Sequence, residues 1–365
     1  MRRICVFCET WASGGIESFI TSILINIDKS DMEIDIVAPC IKKSVFTPLL
    51  IGHGVHFREL SGNRNRVVKN GKLFLDVLKE RHYDVIHLNV FHGGMLYYLS
   101  LANKMGIAIR IVHSHNNSLR RGQHYWLKLM IHRWASKHYI VKATDLWACS
   151  SAAADFMFSH GVPFRLIPNG FDTKRFKFNL RHRDLLRQQL GIKDEVIVGN
   201  VGRLCYQKNQ IFLLRVFAEF LKVQPNSRLI LVGEGEDRDK LVREATLLRI
   251  KDKVIFWGTT DHVERLYWAM DVFVFPSIFE GLGIAAVEAQ AAGLPVVCSD
   301  SIPEEACILH SVKKVPLSFG VDKWAETLEI SQRRVHSREL CAAIVQKSGF
   351  DIEDVVKLVA EKYLG

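Results

Sequence analysis

The chain has 365 residues, of which 48% are hydrophobic and 24% are charged, with a formal net charge of +10 and a mean hydropathy of +0.06. This length supports a large buried core and favours two domains over one. The longest stretch without Lys, Arg, Asp or Glu, residues 85–103, is interrupted by polar side chains such as His87, Asn89 and His92, which argues against a membrane-spanning helix. Only five apolar residues separate Arg3 from Glu9, too few for a signal peptide, so we predict a cytoplasmic location.

The positive charge is unevenly distributed along the chain. Residues 1–170 contain 21 Lys and Arg against 12 Asp and Glu, whereas residues 171–365 contain 28 against 27. A basic surface of this kind attracts nucleic acid, an anionic bilayer or an acidic acceptor. The sequence shows no zinc-finger spacing, no RNP-type aromatic residues and no glycine-rich RNA loop. We therefore predict that nucleic acid is not a partner.

Eight cysteines are spread over the chain. Cys5 and Cys8 form a C-x-x-C pair, but they fall in the first predicted strand, where residues three apart point to opposite faces of the sheet. We expect neither a disulfide nor a shared metal site between them. The other six are predicted to be buried thiols in a reducing compartment.

Short β-rich runs alternate with stretches of helix length. The first series of predicted strands is 4–8, 34–38, 85–88, 109–113 and 146–150, and the second is 196–201, 228–232, 254–256, 272–275 and 295–298. This alternation predicts an α/β protein with two doubly wound parallel sheets. In such folds, ligands bind beyond the carboxyl ends of the strands.

Gly14 and Gly15 follow the first predicted strand, where a glycine-rich loop can indicate a dinucleotide site. The pair lacks the G-x-G-x-x-G spacing, and no acidic residue stands in the ribose-binding position about twenty residues later. A dehydrogenase is therefore disfavoured. A plain tight turn remains an alternative at this place.

Residues 279–288 read F-E-G-L-G-I-A-A-V-E and form the most informative segment of the chain. They follow an apolar run that ends at Pro276, which predicts a strand, a tight loop and a helix beginning near Gly283. Glu280 then lies in the loop and Glu288 on the helix, so both carboxylates can reach one elongated ligand such as a nucleotide sugar. The alternative is a tight turn followed by a solvated Glu288.

The residues between the two acids suit a phosphate-containing ligand. Gly281 and Gly283 let the backbone approach closely, and the N-terminus of the next helix favours a phosphate. Carboxylates accept hydrogen bonds from sugar hydroxyls. We therefore take Glu280 as a catalytic candidate, and Gly281, Leu282, Gly283 and Glu288 as donor-binding candidates.

Arg203 and Lys208 flank a loop between the predicted strand 196–201 and a helix beginning near Asn209. We expect both cations to converge on the same strand end. There, fixed positive charge would stabilise the β-phosphate of a departing nucleoside diphosphate, which makes a divalent metal unnecessary. We predict no metal and no cofactor. The alternative is a pair of surface cations on a βα loop.

The E-x7-E block, in its P-S-x-x-E-G-x-G context, resembles the signature of family 4 of the retaining GT-B glycosyltransferases. Other landmarks follow in the family's order: Gly14-Gly15-Ile16-Glu17, His113-Ser114-His115-Asn116, 167–172, Gly202-Arg203-Leu204 with Lys208-Asn209, 231–235 and 289–295. The resemblance covers nearly the whole chain. Its G-G-I-E and H-S-H-N motifs are similar to those of enzymes that build bacterial exopolysaccharide and capsule.

This resemblance implies a GT-B architecture, in which two Rossmann-like domains face a central cleft. The first domain is predicted at 1–168 with a returning helix at 351–365, and the second at 169–350. The acceptor would bind the first domain and the donor mainly the second. Pro168-Asn169-Gly170 has turn chemistry and marks the hinge. Apolar residues at 352, 355, 356, 359 and 363 predict the closing helix, which crosses back to the first domain in this family.

The resemblance also implies roles for individual residues. His115 matches the family's histidine beside the transferred sugar, and His113 points to the same face from deeper in the sheet. These two imidazoles could instead be metal ligands or core histidines. Backbone groups around Gly258 would contact the base, which leaves UDP, GDP and ADP open. The glycines placed at the donor are Gly14, Gly15, Gly202 and Gly258.

These residues together predict a retaining, metal-independent hexosyltransferase that uses a nucleotide sugar, most simply UDP-linked. The acceptor would be a growing lipid-linked glycan or an oligosaccharide in cell-surface polysaccharide synthesis. The family has no obvious nucleophilic carboxylate on the reacting face, which implies a front-face displacement in which the leaving phosphate helps to deprotonate the acceptor. A nucleotide-sugar epimerase with the GT-B fold and a noncatalytic donor-binding subunit remain open.

The stretch 120–139 predicts an amphipathic helix. Its apolar side carries Trp126, Leu127, Met130, Ile131 and Trp134, and its polar side carries His124, Lys128, His132 and Lys137. The apolar side can lie in a membrane interface or pack on the domain's own sheet. Because the first half of the chain is basic, Arg120 and Arg121 included, we predict peripheral attachment to the anionic inner face of the plasma membrane.

Overall fold

A computed structural model describes residues 1–119, 122, 124–158, 161–332 and 337–365. The chain divides into two compact units: Met1–Phe171 together with Gly349–Gly365, and Asp172–Ser348. Each unit is built on a parallel sheet flanked by helices. The predicted α/β class with two doubly wound sheets is confirmed.

The first unit contains, within its described residues, a seven-stranded sheet in the order β3-β2-β1-β4-β5-β6-β7. The strands are β1 (Arg2–Cys8), β2 (Met32–Ala38), β3 (His56–Glu59), β4 (Val85–Val90), β5 (Ile109–Ser114), β6 (Asp145–Ala148) and β7 (Arg165–Leu166). The helices are α1 (Gly15–Asn26), α2 (Phe46–Gly52), α3 (Val67–Arg81), α4 (Leu96–Lys104), α5 (Tyr125–Tyr139) and α6 (Ser151–Met157), followed by α14 (Ile352–Leu364) near the end of the chain.

The second unit has a six-stranded sheet over the residues described, in the order β10-β9-β8-β11-β12-β13. Its strands are β8 (Val196–Val201), β9 (Ser227–Val232), β10 (Val254–Gly258), β11 (Val272–Phe275), β12 (Val296–Cys298) and β13 (Val312–Lys314). Its helices are α7 (Leu180–Gln189), α8 (Gln210–Val223), α9 (Arg238–Leu247), α10 (Val263–Ala269), α11 (Ile284–Ala291), α12 (Gly320–Gln332) and α13 (Cys341–Val345).

The central strands of both sheets are buried because both of their faces are covered by helices. Every residue of β4 and of β11 is buried, as parallel sheets with helices on both faces require. Strand order reverses next to β1 in the first unit and next to β8 in the second. Crevices at such reversals, at the carboxyl ends of the strands, are where α/β folds bind ligands.

The closing helix α14 (Ile352–Leu364) belongs to the first unit, as predicted. Asp351 caps it, because its Oδ1 accepts a hydrogen bond from Glu353 N at 3.0 Å. Val355 and Val359 are fully buried, and the helix packs against α1. Apolar burial of this stripe therefore binds the end of the chain to its beginning.

One of the two alternatives for helix α5 was that its apolar side packs on the domain's own sheet, and the structure does not show this packing. Its apolar side is exposed, with exposed fractions of 74% for Trp126 and 67% for Met130. His132, predicted on the polar side, is buried instead, and it contacts Gly93 N at 2.7 Å and Phe156 O at 2.9 Å. Packing of the apolar stripe onto the domain's own sheet is therefore wrong. Arg120 and Arg121 lie outside the described residues.

Two further sequence predictions concern the cysteines and the membrane. Cys5 and Cys8 are buried free thiols on β1. Cys40 and Cys307 are half-buried rather than buried, which corrects the prediction for those two residues. In the described part of the chain, helices fall short of the length and apolar character needed to cross a bilayer.

Candidate active site

Three strands of the second unit end in glycines with positive φ. The angles are +152° for Gly202 after β8, +129° for Gly233 after β9 and +81° for Gly258 at the end of β10. A Cβ on Gly233 would lie 2.2 Å from the carbonyl oxygen of Gly202, and Gly233 N donates to Gly258 O at 2.8 Å. Glycine is required because these loops touch backbone to backbone. They present main-chain groups at the strand ends, where Gly202 and Gly258 were predicted to act.

Lys208 and Glu280 form the central ion pair of this region. Nζ of Lys208 lies 2.7 Å from Oε1 of Glu280, and both side chains are largely buried. The ammonium also lies 4.6 Å from the ring centre of Phe275, at the end of β11. The structure therefore places Lys208 beside Glu280 at the ends of β8 and β11. A buried cation and a buried carboxylate hold each other in one geometry.

Sequence reasoning missed Gln207, which supports this pair. Its Nε2 donates to Phe279 O at 3.0 Å and lies 3.5 Å from Oε2 of Glu280, and its carbonyl accepts from Ile278 N at 2.8 Å. These bonds fix the loop that carries Glu280. The only signal in the sequence is that Gln207 precedes Lys208, and nothing there shows contact with a residue 73 positions away.

Arg203 does not join Lys208. Its guanidinium lies 3.0 Å from Oε2 of Glu236, and 67% of its side chain is exposed. The predicted convergence of both cations on one strand end is therefore not observed. Arg203 is a long, solvent-exposed side chain at the rim, whereas Lys208 is fixed below it.

The segment 279–288 folds as the sequence predicts. Gly283 has φ of +86° and precedes α11, and a Cβ there would press on Phe275 at 3.2 Å. Gly281 and Leu282 are buried in the loop. Glu280 lies in that loop and Glu288 on α11. The loop 276–283 thus leads from β11 to the N-terminus of a helix, a geometry that suits a phosphate.

Glu288 is a half-buried carboxylate with a fixed partner. Its Oε2 accepts a hydrogen bond from Tyr267 Oη at 3.0 Å, and the same hydroxyl lies 3.1 Å from Ala285 O. Burial raises the pKa of Glu288 to about 7, against the opposing effects of the Tyr267 hydroxyl and of Arg175 and Lys208. Tyr267 was not predicted as a site residue. An aromatic residue inside a helical run reads as core, and it is indeed buried.

The glycine loop of the first unit is shaped by Glu17. Oε1 of Glu17 accepts from Ala12 N at 3.1 Å, and a Cβ on Gly14 would lie 2.6 Å from Oε2 of the same carboxylate. A Cβ on Gly14 would therefore displace the end of the Glu17 side chain. A Cβ on Gly15 would meet nothing within 4 Å in the described structure, so its glycine has no steric cause here.

Three histidines lie together at the centre of the first sheet. Nδ1 of His87 lies 2.7 Å from Tyr363 Oη on α14, and Nε2 of His87 lies 3.2 Å from Nδ1 of His113. The rings of His113 and His115 are 4.0 Å apart between centres. Burial lowers the pKa of His87 and of His115 to about 3 and lowers the pKa of His113 well below its usual value. All three rings are neutral at physiological pH.

His115 stands at the carboxyl end of β5, next to Asn89 at the end of β4. Nε2 of His115 lies 2.9 Å from Oδ1 of Asn89, and both side chains are buried. Asn89 is a further residue that sequence reasoning missed. Its signal was a polar side chain directly after the apolar run 85–88, at a strand end.

No metal-binding group is assembled by the residues that the structure describes. Among them, no three or more His, Cys, Asp or Glu side chains are placed to bind one ion. The rings of His113 and His115 are adjacent, but Nδ1 of His113 lies 3.2 Å from Nε2 of His87 and Nε2 of His115 lies 2.9 Å from Oδ1 of Asn89.

Solved structures with a similar fold define the class of the protein. The fold matches that of Anabaena HepE, solved in complex with UDP and glucose, with a TM-score of 0.78 and 21% identity. The match covers 99% of this chain and 99% of the HepE chain. The protein therefore has the GT-B fold, as the sequence predicted.

Family comparisons then give the particular family. The model described as "Glycosyltransferase Family 4" matches residues 13–175, and the model described as "Glycosyl transferases group 1" matches residues 182–329. Together they span most of the chain, which belongs to family 4 of the GT-B glycosyltransferases.

Two curated relatives agree with this assignment. EpsF of Bacillus subtilis (strain 168), which is named as a glycosyltransferase, is 29% identical over 373 residues, covering 96% of this chain and 93% of EpsF. The UDP-Gal:alpha-D-GlcNAc-diphosphoundecaprenol alpha-1,3-galactosyltransferase of Escherichia coli is 27% identical over 237 residues, covering 61% of this chain and 59% of the relative.

Proposed function

We propose that this glycosyltransferase moves a hexose from a UDP-sugar to a growing lipid-linked glycan, with retention of the anomeric configuration, during synthesis of a cell-surface polysaccharide. The observation that carries the proposal is the Lys208–Glu280 pair, 2.7 Å apart and largely buried at the carboxyl ends of the second unit's strands. It puts a cation and a hydroxyl-binding carboxylate side by side, as a ligand made of phosphate and sugar needs.

The reaction follows from that placement. The acceptor oxygen forms a bond to C1 of the donor sugar on the face that the diphosphate leaves. The bond between C1 and the β-phosphate oxygen breaks, its electron pair goes to UDP, and the acceptor proton passes to that phosphate. Attack and departure on one face give retention. Lys208 meets the negative charge that grows on the β-phosphate, and Arg203 closes onto it from the rim.

The two acids divide the donor between them. Oε1 of Glu280 is bound to Lys208, but Oε2 has only a 3.5 Å contact with Gln207 among the described residues, so it can accept hydrogen bonds from sugar hydroxyls. Glu288, eight residues further along α11, accepts hydrogen bonds from the ribose. Gly281, Leu282 and Gly283 lie between them at the helix N-terminus, where the diphosphate binds.

UDP and a lipid-linked acceptor are supported by the relatives. HepE was solved with UDP and glucose, and the name of the Escherichia coli enzyme gives a UDP-sugar donor and a diphosphoundecaprenol-linked acceptor. Because Lys208 and Arg203 supply the positive charge, the proposed enzyme needs no divalent metal and no cofactor. We assign His115 of the first unit to contact with a sugar of the substrate.

We further propose that α5 attaches the enzyme to an anionic bilayer. The exposed side chains of Trp126, Leu127, Met130, Ile131 and Trp134 form its apolar stripe. Lys128, Arg133 and Lys137 are exposed on the same helix. Apolar side chains among cations match the interface of an anionic lipid surface. This attachment would place the first unit where a lipid-linked acceptor arrives.

A transfer assay tests the reaction. Purified full-length protein is incubated with UDP-glucose, UDP-galactose, UDP-N-acetylglucosamine or GDP-mannose, with and without a diphosphoundecaprenol-linked sugar, in buffer containing EDTA. We expect transfer from one UDP-sugar, undiminished by EDTA, with the donor's anomeric configuration in the NMR spectrum of the product. An isomeric nucleotide sugar formed without acceptor would identify an epimerase. Donor binding without hydrolysis or transfer would identify a noncatalytic subunit.

A further inference from the structure

The hydrogen bonds around His115 determine which of its ring nitrogens carries the proton. Nδ2 of Asn89 faces the backbone carbonyl of His87 at 3.4 Å, and a carbonyl can only accept. The amide therefore presents its oxygen to His115. Since Oδ1 of Asn89 also only accepts, the nitrogen of His115 at 2.9 Å from it, Nε2, must be the donor.

The second nitrogen of the ring is then bare. The His115 imidazole is neutral in its buried position, so a proton on Nε2 leaves Nδ1 with a lone pair. Nδ1 is buried and has no hydrogen-bond partner within the described structure, and the same holds for Oδ1 of Asn169. The Asn169 side chain nevertheless lies near enough to this ring to oppose, as a hydrogen-bonding group, the lowering of its pKa by burial. Two buried acceptors without a donor lie at the strand ends of the first unit.

Unsatisfied buried acceptors are costly unless a ligand supplies the missing donor. His115 is 8% exposed, and Phe19 packs against its ring at 5.4 Å between centres, so bulk water has little access. Sugar hydroxyls are donors of the required kind. Ring orientation is fixed from both sides, by Phe19 and by the neighbouring ring of His113.

We propose that Asn89 is a positioning residue that holds His115 in the Nε2–H tautomer, so that Nδ1 accepts a hydrogen bond from a sugar hydroxyl of the bound substrate. This deepens the proposed function and rests on it for the identity of the ligand as a sugar. The hydroxyl belongs either to the donor sugar or to the acceptor sugar. The tautomer itself is a property of the folded protein and does not depend on the reaction.

Nitrogen-15 NMR of the histidine side chains tests the tautomer on the labelled full-length protein at neutral pH, with His115→Gln to assign the signals. Protonated and bare ring nitrogens have well-separated shifts. We expect a protonated Nε2 and a bare Nδ1 in the wild type. In Asn89→Leu, the proton should move to Nδ1, where Asn169 can accept it, whereas the matched variant Asn169→Leu should keep the wild-type tautomer.

Kinetics supply the second readout. Asn89→Leu should lower the rate of transfer about tenfold, the loss of roughly one hydrogen bond, and leave UDP affinity unchanged because Asn89 belongs to the first unit. Assays of UDP-glucose hydrolysis without acceptor show whether the hydroxyl bound by His115 belongs to the donor sugar or to the acceptor sugar. Slower hydrolysis assigns the hydroxyl to the donor sugar, and slower transfer with normal hydrolysis assigns it to the acceptor.

A wild-type His115 protonated at Nδ1, or at both nitrogens at neutral pH, would overturn the proposal, as would Asn89→Leu with an unchanged tautomer or full activity. Because Asn89 is fully buried, Asn89→Leu can fail to fold, and circular dichroism detects this. Asn89→Asp then replaces it: its carboxylate still accepts from Nε2, so the Nε2 proton must persist. If no donor is turned over by any variant, the proposed function fails, while the NMR result still decides the role of Asn89.

Discussion

Lys208 is the residue whose replacement bears most directly on the proposed chemistry. We expect Lys208→Met to lower kcat by about 10²–10³ fold, a loss of roughly 2.7–4 kcal/mol, with a smaller change in UDP affinity, because the cation meets charge that grows in the transition state. Methionine keeps an aliphatic side chain over Phe275. Steady-state kinetics with the preferred UDP-sugar give both quantities.

Arg203→Ala should also lower kcat, with a smaller change in UDP affinity. Arg215 offers a matched control, since it is also exposed and also paired with a glutamate, Glu244, at 2.7 Å. Arg215→Ala should leave turnover unchanged. Normal turnover in both Lys208→Met and Arg203→Ala would remove these cations from the site.

Glu288 gives a prediction about pH. Its folded-state pKa of about 7 lies above its ordinary value, so between about pH 4.5 and 7 the unfolded chain ionises while the folded protein keeps the proton. Stability from this group is therefore present in acid and is lost as the pH rises through 7. Chemical denaturation should show Glu288→Gln gaining stability over the wild type from pH 5 to pH 8. An equal difference between the two proteins at both pH values would contradict the raised pKa.

The site could be predicted from sequence only one residue at a time. The positions of Glu280, Lys208 and His115 at strand ends, and of Glu288 on the helix that follows, can be predicted from the apolar runs and glycines. Their partners do not follow, because Lys208 and Glu280 are 72 residues apart, and His87 and Tyr363 are 276 apart. Such pairs exist only after the chain has folded. Asn89 and Gln207 were missed for the same reason, since each acts through a residue remote in sequence.

The sequence predicts some secondary structure elements more clearly than others. Central strands such as β1, β4, β8 and β11 were predicted, since burial on both faces demands a run of apolar residues. The edge strands β3, β7 and β13 were missed. They are two to four residues long, and none of their residues is buried. With neither an apolar run nor an alternating pattern, nothing distinguishes them from loops.

Helix α5 shows the limit of amphipathicity as a guide. The periodic pattern correctly predicts two faces, but it does not say which face is turned inward. His132 can be buried because both of its nitrogens find backbone partners, at Gly93 and Phe156. The apolar face then remains outside. Exposure of so many large apolar side chains on one helix is a mark of an interaction surface.

Vesicle co-sedimentation tests the membrane proposal for α5. Changing Trp126, Met130 and Trp134 to serine should reduce binding to anionic vesicles, because these side chains supply the apolar contact. Leu247→Ser is the matched control, since Leu247 is 79% exposed in the second unit. It should bind as the wild type does. Equal binding by the triple variant and the wild type would reject α5 as the attachment site.

The cations of α5 make a separate contribution to the same binding. Changing Lys128, Arg133 and Lys137 to glutamine should weaken binding about a hundredfold at low salt, at about 1 kcal/mol for each charge. Binding by the wild type should also fall steeply as salt is raised. If the wild-type protein does not bind anionic vesicles at low salt, the membrane proposal fails. The excess charge of residues 1–170 would then attract a soluble acidic acceptor instead.

At the scale of the whole molecule, α14 makes the first unit discontinuous in sequence. Its buried side chains Val355 and Val359 join the core around β1 and α1. We expect a chain ending at Asp351 to leave that core open, so limited proteolysis should degrade the first unit and release a resistant fragment near Asp172–Ser348. Equal protease resistance of both units in the shortened chain would contradict this dependence.

Because α14 supplies part of that core, the order of synthesis matters. A ribosome that has finished Phe171 must still make all of Asp172–Ser348 before the closing helix emerges. At about 5–20 residues per second, this delay is on the order of ten to thirty seconds. During that time the nascent first unit has an uncovered apolar face on α1. The amino-terminal half is therefore translated first yet completed last, and we expect general chaperones to engage it during translation.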